Sequence, residues 1–196
     1  MCSSDLDHTA DPLRLAADLL IEAEHGTDSA VVLVTPLPEI IDLVDAELER
    51  QLADLPANRA EAARASLGRN GGAVLVENMN VAVDVANLWA PEHLQLVVDS
   101  RYEEAVVDAL VNAGEILIGQ DTPFCAGNFL IGCPASLPTS GFAHVSSGIT
   151  VEAFLKRTAV AKANEAALRR MTGSILSLAD HEGFPAHGNA LRRRFG

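Results

Sequence analysis

In Ala90-Pro91-Glu92-His93-Leu94 a carboxylate and an imidazole stand side by side directly after a proline. Histidine titrates near neutral pH, and a glutamate raised by partial burial can join it, so the pair suits both a deprotonation and the activation of a water. Pro91 disfavours helix at the residue before it, which predicts a helix ending at Asn87-Leu88-Trp89 and a rigid turn at the Glu-His pair. Such a turn aims two proton carriers at one point. An ordinary surface turn would look the same in isolation, so the elements that position the pair have to decide.

Those elements alternate. Asp11 reads as an N-cap with Pro12 in the first turn, and Leu13, Ala16, Ala17, Leu19, Leu20 and Ala23 recur at helical spacing, predicting a helix to about His25 that stops at Gly26. Ala30 to Val34 is a short β-branched run, the pattern of a strand buried on both faces. Helices are expected over 38–55 and 57–67, then a strand over 73–76, a helix over 80–88, a strand over 94–98, a helix over 103–112 and a strand over 115–119. This alternation predicts an α/β fold: an incomplete Rossmann-like layer with a mainly parallel sheet.

Residues 120–147 change character, with Gly, Pro, Ser and Thr punctuating short apolar pieces, and a loop of that length usually carries function. Beyond it the pattern is helical over 151–170, 173–181 and 186–194, a small helical C-terminal tail. Gly68-x-x-Gly71-Gly72 precedes a strand, whereas a dinucleotide fingerprint follows one, so it reads as a turn.

Composition narrows the function classes. With 196 residues, 48% of them hydrophobic, the chain can bury a core. A net charge of −13 with only 14 Lys and Arg argues against nucleic acid, since phosphate binding needs clustered cations; Arg192-Arg193-Arg194 suits a helix C-terminus. No apolar run approaches the ~20 residues of a membrane span, so no membrane partner and a cytoplasmic location are expected. Cys2, Cys125 and Cys133 show no CxxC spacing, and Cys125 and Cys133 read as small apolar fillers. Residues 1–6 have neither a signal sequence nor the pattern of an element. Cys-Ser-Ser-Asp-Leu is what the adapter end TGC TCT TCC GAT CT encodes in one frame, so a non-native start is expected, followed by an α/β half over 7–147 and a tail over 148–196.

The ordered stretches Thr9-Ala10-Asp11-Pro12, Ala23-Glu24-His25-Gly26, Ala90-Pro91-Glu92-His93-Leu94, Leu137-Pro138-Thr139, Ser147-Gly148-Ile149-Thr150-Val151 with Phe154-Leu155-Lys156-Arg157, and Glu182-Gly183-Phe184-Pro185-Ala186-His187 resemble the C-terminal half of histidinol dehydrogenase. That family is the zinc- and NAD-dependent enzyme closing histidine biosynthesis. The resemblance implies that Glu92 activates the water hydrating an aldehyde intermediate, and that His93 takes protons from alcohol and hydrate while two hydrides pass to NAD. It places zinc on Glu22, His25, Asn128 and His187, with His187 supplied by the tail of the partner in a homodimer. Glu22 and His25, three apart, would share a helical face and reach one ion. The NAD-contacting half lies upstream of the matched region, so this chain alone is expected to be inactive.

Two groups of positions depart from the family pattern. Glu22 stands where the family has Gln, and Asn128 where it has Asp, so a carboxylate moves from loop to helix with the charge count unchanged. In the substrate loop, Phe124, Phe129 and Ala135 stand where the family has Glu, Tyr and His, while Glu182 matches the family's tail glutamate. Losing polar partners costs specificity, which predicts a small alcohol less basic than histidinol, such as a hydroxylated sulfonate or carboxylate. The second reading is a non-catalytic metal- or anion-binding α/β dimerisation module, or an inactive fragment.

Overall fold

The computed structural model describes the backbone of residues 2–6 and the whole of residues 10–195. Residues 7–9, at the start of the expected α/β half, lie outside the described residues. Five strands, β1 (Cys2–Leu6), β2 (Val31–Thr35), β3 (Gly72–Leu75), β4 (His93–Val97) and β5 (Glu115–Ile118), form one sheet in the order β3-β2-β1-β4-β5. Every pairing is parallel. The α/β expectation holds, and helices supply the crossovers that parallel strands require.

Cys2–Leu6 corrects the reading of residues 1–6 as lacking an element. Its backbone pairs with Val31 to Val34 on one side and with His93 to Val97 on the other, at the centre of the sheet. A polar five-residue run carries no strand signal of its own; two flanking strands supply the hydrogen-bonding partners.

Helix α1 (Pro12–Ala23) connects the first two strands, capped by the Asp11 side chain, which accepts from the Leu13 amide at 3.0 Å. Its apolar face, Leu15, Ala16, Leu19, Leu20 and Ala23, packs with Val31 and Leu33 of β2, Val97 of β4, and Ile40 and Val44 of α2 (Pro38–Leu52). Burying each leucine stabilises the layer by about 1.5–3 kcal/mol. Helix α3 (Ala57–Gly68) completes this side, adding Ala63.

On the opposite face, α4 (Met79–Trp89) and α5 (Glu103–Ala109) cover Leu94, Leu96 and Val98 with Val83, Ala86, Val106 and Leu110. Strand β4 is therefore buried on both faces, and the two-residue period of a strand sorts its side chains. Leu94 and Leu96 face α4 and α5, while His93, Gln95 and Val97 face α1.

After β5 come the single turn α6 (Phe124–Ala126), a five-residue π turn over Gly127–Ile131 and an irregular loop. The chain divides into two compact units, residues 1–154 and 155–196. The second contains α7 (Glu165–His181) and α8 (Pro185–Phe195). The expected helix over 151–170 forms only at its end: Val151–Phe154 form a 3₁₀ turn, and helix begins after Asn164, whose side chain caps the Ala167 amide. Val151, Phe154 and Val160 in this stretch are exposed. Nor does Gly173 break α7, because its surroundings are open and an exposed glycine costs a helix only about 1 kcal/mol. Among the described residues no helix is long and apolar enough to cross a membrane.

Candidate active site

Helix α4 ends at Trp89, as the proline rule requires. Ala90 closes it in the left-handed conformation (φ 49°), donating its amide to Ala86 at 2.8 Å, and Pro91 and Glu92 form the bend that leads into β4. Glu92 is half-buried there, and His93 opens the strand. The bend is held from the next strand: Gly114 N–H donates to Pro91 O at 2.9 Å and Glu115 N–H to Glu92 O at 3.0 Å. A side chain at Gly114 would collide with the Glu92 carbonyl.

Helix α1 runs antiparallel to the strands, so its C-terminal end meets the amino ends of β4 and β5. There the Glu22 carboxylate lies 3.9 Å from His93 Nδ1. From the loop, the Asn128 amide joins them. Its Nδ2 donates to Glu22 Oε1 at 3.1 Å, and its Oδ1 lies 3.1 Å from His93 Nε2. An amide oxygen only accepts, so this arrangement places the imidazole proton on Nε2. Asn128 sits in the π turn, a distortion frequent at functional sites. Phe124 is fully buried and meets the His93 ring edge-on, with centroids 5.9 Å apart and planes at 83°.

A second carboxylate flanks the same imidazole. Glu115, the register partner of His93 on β5, places Oε1 3.6 Å from Nε2, with 5% of its side chain exposed. Gly127 packs against that oxygen, where a Cβ would come within 3.1 Å. Neither carboxylate oxygen has a partner meeting hydrogen-bond geometry. The Cys133 thiol leans on it as a weak donor, and that interaction, followed by burial, pushes the thiol pKa up. One step deeper, Gln95 donates to Asp18 at 2.8 Å, so α1 and β4 form two polar rungs, Asp18–Gln95 and Glu22–His93.

The structure thus brings together Glu22, His93, Asn128 and Phe124, with Glu92 adjacent. His25 is not among them. Helix α1 ends at Ala23 with Glu24 as its cap, so the helical spacing that would align His25 with Glu22 stops short, and His25 is exposed while Glu22 is buried. Phe129 and Ala135 are exposed and make none of the contacts above, and Phe124 is a packing side chain rather than an open pocket wall. His187 and Glu182 belong to the second unit, where His187 stacks on Phe184 with centroids 5.2 Å apart. Among the described residues no three His, Cys, Asp or Glu side chains are arranged as a metal centre.

Glu115, Asp18 and Gln95 were not evident as site residues from sequence. The available signal was polarity at positions that face the interior: Asp18 and Glu22 one turn apart on an otherwise apolar helical face, and Gln95 between Leu94 and Leu96.

The family profile described as histidinol dehydrogenase matches residues 6–195. The chain belongs to the histidinol dehydrogenase family. It is 41% identical over 189 residues to histidinol dehydrogenase of Mycobacterium tuberculosis (strain H37Rv), covering 96% of this chain and 42% of that protein. It is 41% identical over 188 residues to the Synechocystis histidinol dehydrogenase, covering 96% and 43%. The crystal structure of histidinol dehydrogenase from Elizabethkingia anophelis superposes with a TM-score of 0.92 at 31% identity, over 98% of this chain and 43% of that one. The chain therefore spans about two fifths of the length of these relatives. The histidinol dehydrogenase family is one of zinc- and NAD-dependent dehydrogenases.

Proposed function

We propose that the full-length protein oxidises histidinol to the corresponding acid by way of the aldehyde, with NAD as hydride acceptor and His93 as the proton carrier. The observation that carries this reading is His93 itself, a buried imidazole opening β4 with Glu22 and Asn128 aimed at its two nitrogens. To accept a proton at Nε2, His93 gives up its bond to Asn128 Oδ1 and carries its proton on Nδ1, where Glu22 Oε2 lies 3.9 Å away. Phe124 holds the ring while this happens. Glu92 activates the water in the aldehyde step.

The donor set Glu22, His25, Asn128 and His187 suits zinc in kind, being carboxylate, amide oxygen and two imidazoles. Of these, Glu22 and Asn128 already meet; His25 lies just past the end of the helix bearing Glu22, and His187 would come from a second copy in a homodimer. Zinc, when bound, supplies Lewis acidity toward the substrate oxygen.

The expectation of a less basic substrate finds no support among the relatives compared, all of which carry the histidinol dehydrogenase name. Glu115 weighs against it as well, because it adds to the site a carboxylate in place of the one that the resemblance implies Phe124 removes.

The test is NAD reduction by the full-length, zinc-loaded protein given limiting L-histidinol. Two NADH per histidinol are expected, and absence of NADH formation would overturn the reading.

A further inference from the structure

We propose that Ser66 and Asn70 are positioning residues for the zinc donor His25, holding the backbone turn that presents its imidazole. This rests on the proposed reading of His25 as a donor and adds to it the groups that set its place. Helix α1 stops at Ala23, and a helix end leaves its last carbonyls without partners inside the helix. Many helices close by turning one residue, most often glycine, into the left-handed conformation, which returns backbone amides to those carbonyls. No residue from Ala23 to Ser29 does so, Gly26 included. Side chains from another helix take up the carbonyls instead.

The donors come from α3 and from Asn70 just beyond its end. The fully buried Ser66 hydroxyl lies 3.0 Å from Ala23 O, 2.9 Å from Gly26 O and 3.0 Å from Ala62 O, and shares its single proton among them. Asn70 Nδ2 donates to Thr27 O and to Ser29 O, each at 2.8 Å, and Arg59 Nη1 donates to Glu24 O at 3.0 Å. Gly71 lets the end of α3 come this close, since a Cβ there would strike the carbonyls of Val31 and Ser66.

His25 sits in the middle of this clamp. Carbonyls before and after it are held, its own amide donates to Glu22 O at 3.5 Å, and its side chain is exposed. A donor whose backbone is fixed in advance loses little further freedom when an ion arrives, so a metal is bound more tightly than by a loose turn. The clamping bonds all end on backbone oxygens, and their effect on the metal therefore passes through the position of His25.

The experiment measures zinc affinity by chelator competition, together with unfolding of the zinc-free form, in the full-length protein and in Ser66→Ala, Asn70→Asp and Ile40→Val. The last is a control that loosens the same core from α2. The Kd for zinc should rise about 10- to 100-fold in Ser66→Ala and in Asn70→Asp, the usual effect of losing a group that orients a ligand. Ile40→Val should unfold earlier and bind zinc as the unsubstituted protein does. In a His25→Ala background, Ser66→Ala should weaken zinc no further. Equal loss in the Ile40→Val control, or a further loss in the His25→Ala background, would overturn the positioning role. Loss in His25→Ala with none in Ser66→Ala and Asn70→Asp would overturn it while leaving His25 a donor. Zinc affinity unchanged in His25→Ala would overturn the donor reading and the proposal with it. Should the variants not fold, hydrogen exchange in the unsubstituted protein decides: residues 24–29 must be equally protected with and without zinc, and protection that arises only on adding zinc refutes the proposal.

Discussion

Glu22 and Asn128, 106 residues apart, are joined by one hydrogen bond of 3.1 Å in which the loop residue supplies the amide and the helix residue the carboxylate. The family pattern resembled by this chain has Gln at the first position and Asp at the second, so the two chemical groups have changed places across the same contact.

The exchange predicts strong coupling. Asn128→Asp sets a half-buried carboxylate against the buried one of Glu22 and should destabilise the chain at neutral pH by about 1–3 kcal/mol, while Glu22→Gln together with Asn128→Asp should recover most of that loss. Denaturant unfolding of the two single variants and the double variant measures it. Additive effects would mean that the contact contributes no coupling.

Asp18 supplies a pH dependence. Burial pushes its carboxyl above the ordinary 3.8, against the lowering by Gln95 and then Arg14. Between that ordinary value and the raised one the folded chain holds a proton that the unfolded chain has released, so this contribution to stability falls as pH rises through the window. Asp18→Asn removes the titration. Its amide can also donate to Gln95 Oε1, which lacks a partner, so at pH 7 the variant should be as stable or up to about 1 kcal/mol more stable. Unfolding midpoints from pH 4 to 7 should vary less in the variant, and a steeper dependence would contradict this account of Asp18.

Gly114 guards the register. Its amide reaches Pro91 O, and a Cβ there would strike the Glu92 carbonyl and come within 3.2 Å of Pro138 Cδ. Gly114→Ala should cost roughly 2 kcal/mol or more and shift the histidine signals of His93 in NMR spectra, since strands β4 and β5 must separate to admit the methyl group. Unchanged unfolding would show that the strands accommodate it freely.

How far the sequence revealed all this depends on whether a feature is local. The Pro91 rule located the end of α4, and the β-branched run at Val31–Thr35 announced a strand buried on both faces. Cys2–Leu6 was illegible because its strand character comes from two neighbours distant in sequence. Helix α1 ends at Ala23, between Glu22 and His25, an end that the run of apolar positions did not mark. Glu115 was invisible as a site residue because only the register of β4 with β5, fixed by long-range pairing, sets it beside His93.

The central claim is that His93 carries the protons of an NAD-dependent oxidation, and the most direct measurement is histidinol turnover by the full-length, zinc-loaded protein with and without His93→Asn. The account predicts NADH formation in the unsubstituted protein and a kcat lower by about 10²-fold or more in the variant, with folding and zinc content retained. Unaltered turnover in His93→Asn would contradict it.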